Sequence, residues 1–161
     1  MKIVILGGTG LIGKALQKSF SNEHQVHCFN REAFQSVEHL ASLVEGSDLV
    51  IQLSGSTISK RWSNKIVKEM WQSRVDTNQM LSEVVQSLST KPRVICASGI
   101  SFYAESSCND PKTEEDPKGD GYLTNLNIAI EDAAKSISDD VIILRFGVVL
   151  SRQGGALQKL Y

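Results

Sequence analysis

The sequence predicts an α/β fold with a mainly parallel, doubly wound sheet and helices on both faces. Three observations carry this. Short apolar runs alternate with helical periodicities along the whole chain. The runs are continuous rather than alternating, as in strands buried on both faces. The first run, Ile3–Leu6, ends in a glycine cluster that opens directly into a helical pattern.

The elements follow in order. Ile3–Leu6 reads as the first strand, and Leu11–Phe20 as an amphipathic helix with Leu11, Ile12, Ala15, Leu16 and Phe20 facing inward. Gln25–Phe29 is a second strand, Phe34–Val44 a short helix and Asp48–Leu53 a third strand. Trp62–Leu88 sustains one long helical period, which places Trp71 in the core. Arg93–Ala97 is a fourth strand, Tyr122–Ile137 a helix and Val141–Phe146 a fifth strand. From Ser151 the pattern suggests a loop leading into a helix. The polar segment Glu105–Gly121, with two prolines, is long for a compact domain, so it is either a lid over a site or disordered.

Bulk properties narrow the function. The 161 residues suit one domain, with net charge −1 and 41% hydrophobic content. No basic field favours nucleic acid or an anionic membrane, and no segment reaches membrane-spanning length. Three cysteines (Cys28, Cys96, Cys108) and three histidines (His24, His27, His39) lack metal-ligand spacing, so no metal is expected and a reducing cytoplasm is the default.

The glycine cluster carries the chemistry. Gly8, Gly10 and Gly13 satisfy G-x-G-x-x-G, and Gly7, Gly10 and Gly13 satisfy G-x-x-G-x-x-G. Such glycines serve a tight turn, close approach of backbone to a pyrophosphate, and close packing of helix on strand. The segment Gly7-Gly8-Thr9-Gly10-Leu11-Ile12-Gly13 is therefore the candidate dinucleotide cradle of a Rossmann domain, with phosphate at the helix N-terminus. The second strand ends in Asn30-Arg31 with no acid at its tip, although Glu32 is adjacent. An arginine there can clamp a 2′-phosphate, so NADP(H) is expected ahead of NAD(H). Leu53-Ser54-Gly55 lies at the carboxyl edge where ligands bind in such sheets.

At this point the chain resembles the extended short-chain dehydrogenases/reductases. The residues concerned are the GGTGLIG opening, Leu53-Ser54-Gly55, Lys60-Arg61-Trp62, Ser73-Arg74-Val75 with Thr77, and Ala97-Ser98 ahead of Phe102-Tyr103. Arg145-Phe146-Gly147-Val148-Val149-Leu150-Ser151 and Gly154-Gly155-Ala156-Leu157 complete the set. Together they are similar to the epimerase-like branch, labelled nucleoside-diphosphate-sugar epimerase or SulA-type cell-division inhibitor. The resemblance implies an NADP-binding domain, with Arg74 near the cofactor, followed in full-length members by a substrate domain. That domain is expected to be absent from residues 1–161.

The same resemblance implies a serine and a tyrosine acting on the substrate oxygen, with a lysine four residues after the tyrosine. Ser98 and Tyr122 are the catalytic candidates, and Tyr103 a second phenol near the same edge. Leu126 stands where the lysine should be, which leaves Tyr122 a poor base. The expected ligands are a dinucleotide and an unidentified small molecule, with a nucleotide sugar as the class the branch suggests. Three readings remain open: an NADP-dependent oxidoreductase or epimerase domain, a non-catalytic NADP-binding regulatory module, and an inactive fragment. Without a second domain, an exposed sheet edge is expected to favour homo-oligomers.

Overall fold

The computed structural model describes residues 1–105, 107 and 109–157. Five parallel strands form one sheet: β1 (Lys2–Leu6), β2 (Gln25–Phe29), β3 (Leu49–Gln52), β4 (Arg93–Gly99) and β5 (Ile142–Phe146). Their spatial order is β2-β1-β3-β4-β5. The chain steps from β1 outward to β2, then crosses back to place β3 on the other side of β1. The strand order thus reverses between β1 and β3, and a crevice opens at the carboxyl ends of those two strands.

Strand alternation divides the core. Val4, Leu6, Val50, Val94 and Cys96 point to one face, where α2 (Val37–Val44), α4 (Thr77–Ser87) and α5 (Tyr122–Lys135) cover them through Leu40, Val44, Leu81, Val84, Val85 and Ala134. Ile3, Ile5 and Ile51 point the other way, onto Leu16 and Phe20 of α1 (Leu11–Phe20). That second layer stops short. On β5, Ile142 and Leu144 are 41% and 42% exposed, and Val148 and Leu150 beyond it are 71% and 64% exposed. The expected exposed apolar edge is present.

Three expectations change. The long helix is interrupted: α3 (Asn64–Trp71) passes through a π-helical turn at Gln72–Asp76 before α4 begins. Trp71 lies at that junction and is 38% exposed rather than in the core. After β5 the chain forms a small antiparallel hairpin, β6 (Leu150–Ser151) with β7 (Gly154–Gly155), where a helix was expected. Residues 158–161 of that expected helix lie outside the described residues. Cys28 and Cys96 are free thiols in strands; Cys96 is buried, which pushes its thiol up to about 12, whereas Cys28 is only half-buried rather than in the interior the sequence suggests. Cys108 lies outside the described residues. No described helix is long and apolar enough to cross a membrane.

Candidate functional site

The glycine loop follows from what its backbone must do. Gly7 has φ +93°, and a Cβ there would lie 2.8 Å from the Leu53 carbonyl carbon. A Cβ on Gly13 would lie 2.6 Å from the Gly7 carbonyl oxygen and 2.7 Å from the Gly8 Cα, so only glycine lets α1 sit this close to the loop. Gly10 is the N-cap of α1 and provides no side chain to satisfy the first-turn N–H groups. Those donors and the positive end of the helix dipole therefore face the crevice free of side-chain caps.

Asn30 braces the loop from β2. Its Oδ1 accepts from the Thr9 N–H at 3.0 Å and from the Thr9 hydroxyl at 2.7 Å. Glu32 turns back to accept the Asn30 N–H at 2.8 Å, and backbone hydrogen bonds, first its own and then that of Asn30, hold its carboxyl below the usual range. A cavity of about 430 Å³ beside this tip is lined by Thr9, Asn30, Arg31, Glu69, Ser73 and Thr77, among others, and Glu32 is not on its wall. The Arg31 side chain is 81% exposed and donates to Glu69 at 2.9 Å, with Lys60 3.8 Å from the same carboxylate. Two cations thus face one anion at the cavity rim. An ion pair this exposed contributes at most about 1 kcal/mol, so a phosphate can compete for Arg31.

The main crevice, about 1030 Å³, runs over the carboxyl ends of β1, β3, β4 and β5. Gly7, Gly10, Leu11, Ile12 and Gly13 form one wall. Leu53, Ser54, Gly55 and Arg74 face them. Arg74 projects from the π-helical turn and donates to the carbonyls of Ser56 at 2.8 Å and Met70 at 3.3 Å. Its guanidinium lies within 3.0 Å of where a Gly55 Cβ would be, so Gly55 makes room for it. Burial pulls its pKa down, with Tyr122 opposing weakly, the signature of a cation held without a carboxylate partner. The hairpin closes the far end, with Val149, Gly155 and Ala156 on the wall and Gly155 against Leu11.

The two catalytic candidates are not brought together. Ser98 lies on the crevice wall at the end of β4, but its hydroxyl donates to Glu131 of α5 at 2.8 Å. Tyr122 turns away beneath α3, where its hydroxyl donates to the Val67 carbonyl at 3.0 Å and its ring meets Trp62 edge-on. Burial holds its phenol above the ordinary value of 10.0, with a smaller opposing pull from Arg74. The crevice face of α5 is instead Leu123, Leu126, Asn127 and Ile130. Tyr103 does not line the crevice; its hydroxyl oxygen accepts from Arg145, whose guanidinium also stacks over Phe102 at 3.6 Å.

Sequence reasoning missed the network behind Ser98. Arg145 grips Glu131 through two hydrogen bonds, 2.7 and 2.8 Å, and donates to the Glu114 carbonyl at 3.1 Å. This ties the polar segment after Tyr103 to the sheet, helped by a bridge between Tyr103 and Lys118. No described residue of that segment lines the crevice, so the lid expected there is pinned beside the site rather than over it. Ser106 and Cys108 of the segment lie outside the described residues. The one sequence signal was Glu131 itself, an acid among the apolar positions of α5. No metal-binding group occurs among the described residues.

With this geometry in place, comparison with known proteins decides the family. The NAD dependent epimerase/dehydratase family profile matches residues 3–127. The chain belongs to this family. Human epimerase family protein SDR39U1 is 30% identical over 98% of the chain. The chain spans only 57% of that relative's length. A crystal structure of the human protein with NADPH superimposes with a TM-score of 0.85 at 28% identity, covering 99% of this chain and 58% of that one. The nucleoside-diphosphate sugar epimerase of Corynebacterium glutamicum gives a TM-score of 0.81 at 29% identity, covering 99% of this chain and 36% of that one. The parallel sheet of this chain is thus that of the epimerase/dehydratase family.

Proposed function

We propose that this chain is the NADP(H)-binding part of an epimerase- or dehydratase-type oxidoreductase. The observation that carries the reading is the glycine loop, folded so tightly that a Cβ at Gly7 or Gly13 would collide with backbone, on the same crevice as Arg74. The uncapped first turn of α1 supplies free N–H donors, and the Arg74 guanidinium, anchored on the Ser56 carbonyl, adds positive charge to the same crevice, as a pyrophosphate requires. Arg31, backed by Lys60, supplies charge for a 2′-phosphate, and Glu32 is turned away from the ribose position it would need to favour NAD(H). The human relative crystallised with NADPH supports the same choice.

When bound, the cofactor supplies a hydride to a substrate carbon or accepts one from it. The chain's residues bind and orient it: Asn30 braces the loop, Gly55 admits Arg74, and Ser98 presents an oxygen held by Glu131. The substrate is a small molecule, with a nucleotide sugar the candidate suggested by the Corynebacterium relative. A second reading, a cofactor-binding module without its own acid/base chemistry, is favoured by one observation. Among the residues lining the main crevice, Arg74 is the one ionisable side chain, and it makes a poor proton donor.

Arg31→Ala separates the cofactor choices. The variant should lose about tenfold in NADPH affinity while NADH affinity changes little, since only the former presents a 2′-phosphate. Equal losses for both, measured by fluorescence titration, would remove Arg31 from phosphate recognition.

A further inference from the structure

The cofactor reading leaves one half of the dinucleotide without assigned partners. Asn30 and Arg31, at the tip of β2, mark the adenosine side. The other half must then run from the glycine loop over the ends of β3 and β4. The wall there is neutral: Gln52 and Asn78, the end of β4, and the Leu123, Leu126, Asn127 and Ile130 face of α5.

Two amides on this wall are placed to hold a ligand. Gln52, the last residue of β3, is 3% exposed. Its Oε1 accepts the Ser54 N–H at 3.0 Å, and exchanging oxygen and nitrogen would set two donors against each other, so the orientation of the amide is determined. Its Nε2 is then a buried donor with no partner among the described residues. Buried donors are almost always paired, so an orphan on a crevice wall marks a position for an acceptor. Asn127 lies one residue past Leu126, half-buried on the same wall, with its amide nitrogen 3.4 Å from the place a Gly99 Cβ would occupy. The third amide, Asn78, is already committed, since its Nδ2 donates to the Ile130 carbonyl at 3.2 Å.

We propose that Gln52 and Asn127 hold the nicotinamide-ribose half of the cofactor by neutral hydrogen bonds. Gln52 Nε2 donates to an oxygen of that half. Asn127 offers a donor and an acceptor to the ribose diol. The inference rests on the NADP(H) reading and deepens it, because it replaces a charged lysine contact with uncharged ones. Orientation of the nicotinamide is retained, and the cationic aid to proton transfer is not.

The test titrates NADPH and adenosine 2′,5′-bisphosphate, which lacks the nicotinamide-ribose half, into the intact chain and two variants. Gln52→Glu keeps the oxygen that receives Ser54 and removes the donor, and Asn127→Ala removes the amide from a half-buried position. Each variant should bind NADPH about tenfold more weakly and the bisphosphate as the unaltered chain does. Unchanged NADPH affinity, or equal losses for both ligands, overturns the proposal, and a selective loss in one variant alone overturns the role of the other residue. If the unaltered chain binds neither ligand, the underlying cofactor reading fails and this inference falls with it.

Discussion

Ser98 shows how a residue readable from sequence can be held by partners that are not. Its position after a buried strand and its resemblance to a dehydrogenase serine were legible; Glu131 and Arg145, from α5 and β5, meet it only in the folded chain. Burial works to raise the Glu131 carboxyl, but hydrogen bonds from Arg145 and Ser98 outweigh it and hold the group below its ordinary value of 4.5. A depressed carboxylate contributes stability that is present above the unfolded value and lost as pH falls through the folded one. Urea midpoints should therefore decline as pH drops below about 4.5, and Glu131→Gln should flatten that decline. Removing the cation is harsher. The Glu131 side chain is 2% exposed and that of Arg145 18%, so Arg145→Met leaves a buried charge unpaired and should lower unfolding free energy by about 3 kcal/mol. A loss below about 1 kcal/mol would show that solvent reaches Glu131 and that the network is incidental.

At the scale of elements, the strands were legible because parallel strands buried on both faces are unbroken apolar runs, as in Ile3–Leu6 and Leu49–Ile51. The break in the Trp62–Leu88 helix was not. A π-helical turn adds one residue without adding glycine or proline, and its one trace is the five-residue step between the buried Met70 and Val75, where a regular helix steps by three or four. That turn is nonetheless what places Arg74 in the crevice. The closing hairpin was also hidden, because Gly154-Gly155 reads equally as a loop before a helix. The exposed face of β5 follows from element order: α1 covers β1 to β3, and no described helix covers Ile142 and Leu144. Sedimentation velocity should show association that rises with concentration and is suppressed by Leu144→Lys. A monomer at all concentrations would mean that this apolar strip is too small to drive self-association.

On the scale of the whole molecule, a reversal of strand order between β1 and β3 gathers the glycine loop, Arg74, Ser98 and the amides of β3 and α5 around one crevice. The fold class and the tight glycine loop were legible because each depends on local pattern. The neutral lining was not, since it depends on which face of α5 turns inward. That helix turns Leu126 and Asn127 to the crevice and Tyr122 away from it, so binding and orientation are better supported here than acid/base catalysis. The direct test of the central claim is calorimetric titration of the purified chain with NADPH and, in parallel, with NADH. Saturable one-to-one binding, tighter for NADPH, is the predicted result. A folded chain that takes up neither nucleotide would contradict the account, leaving the Gly7–Gly13 loop a structural turn rather than a working phosphate site.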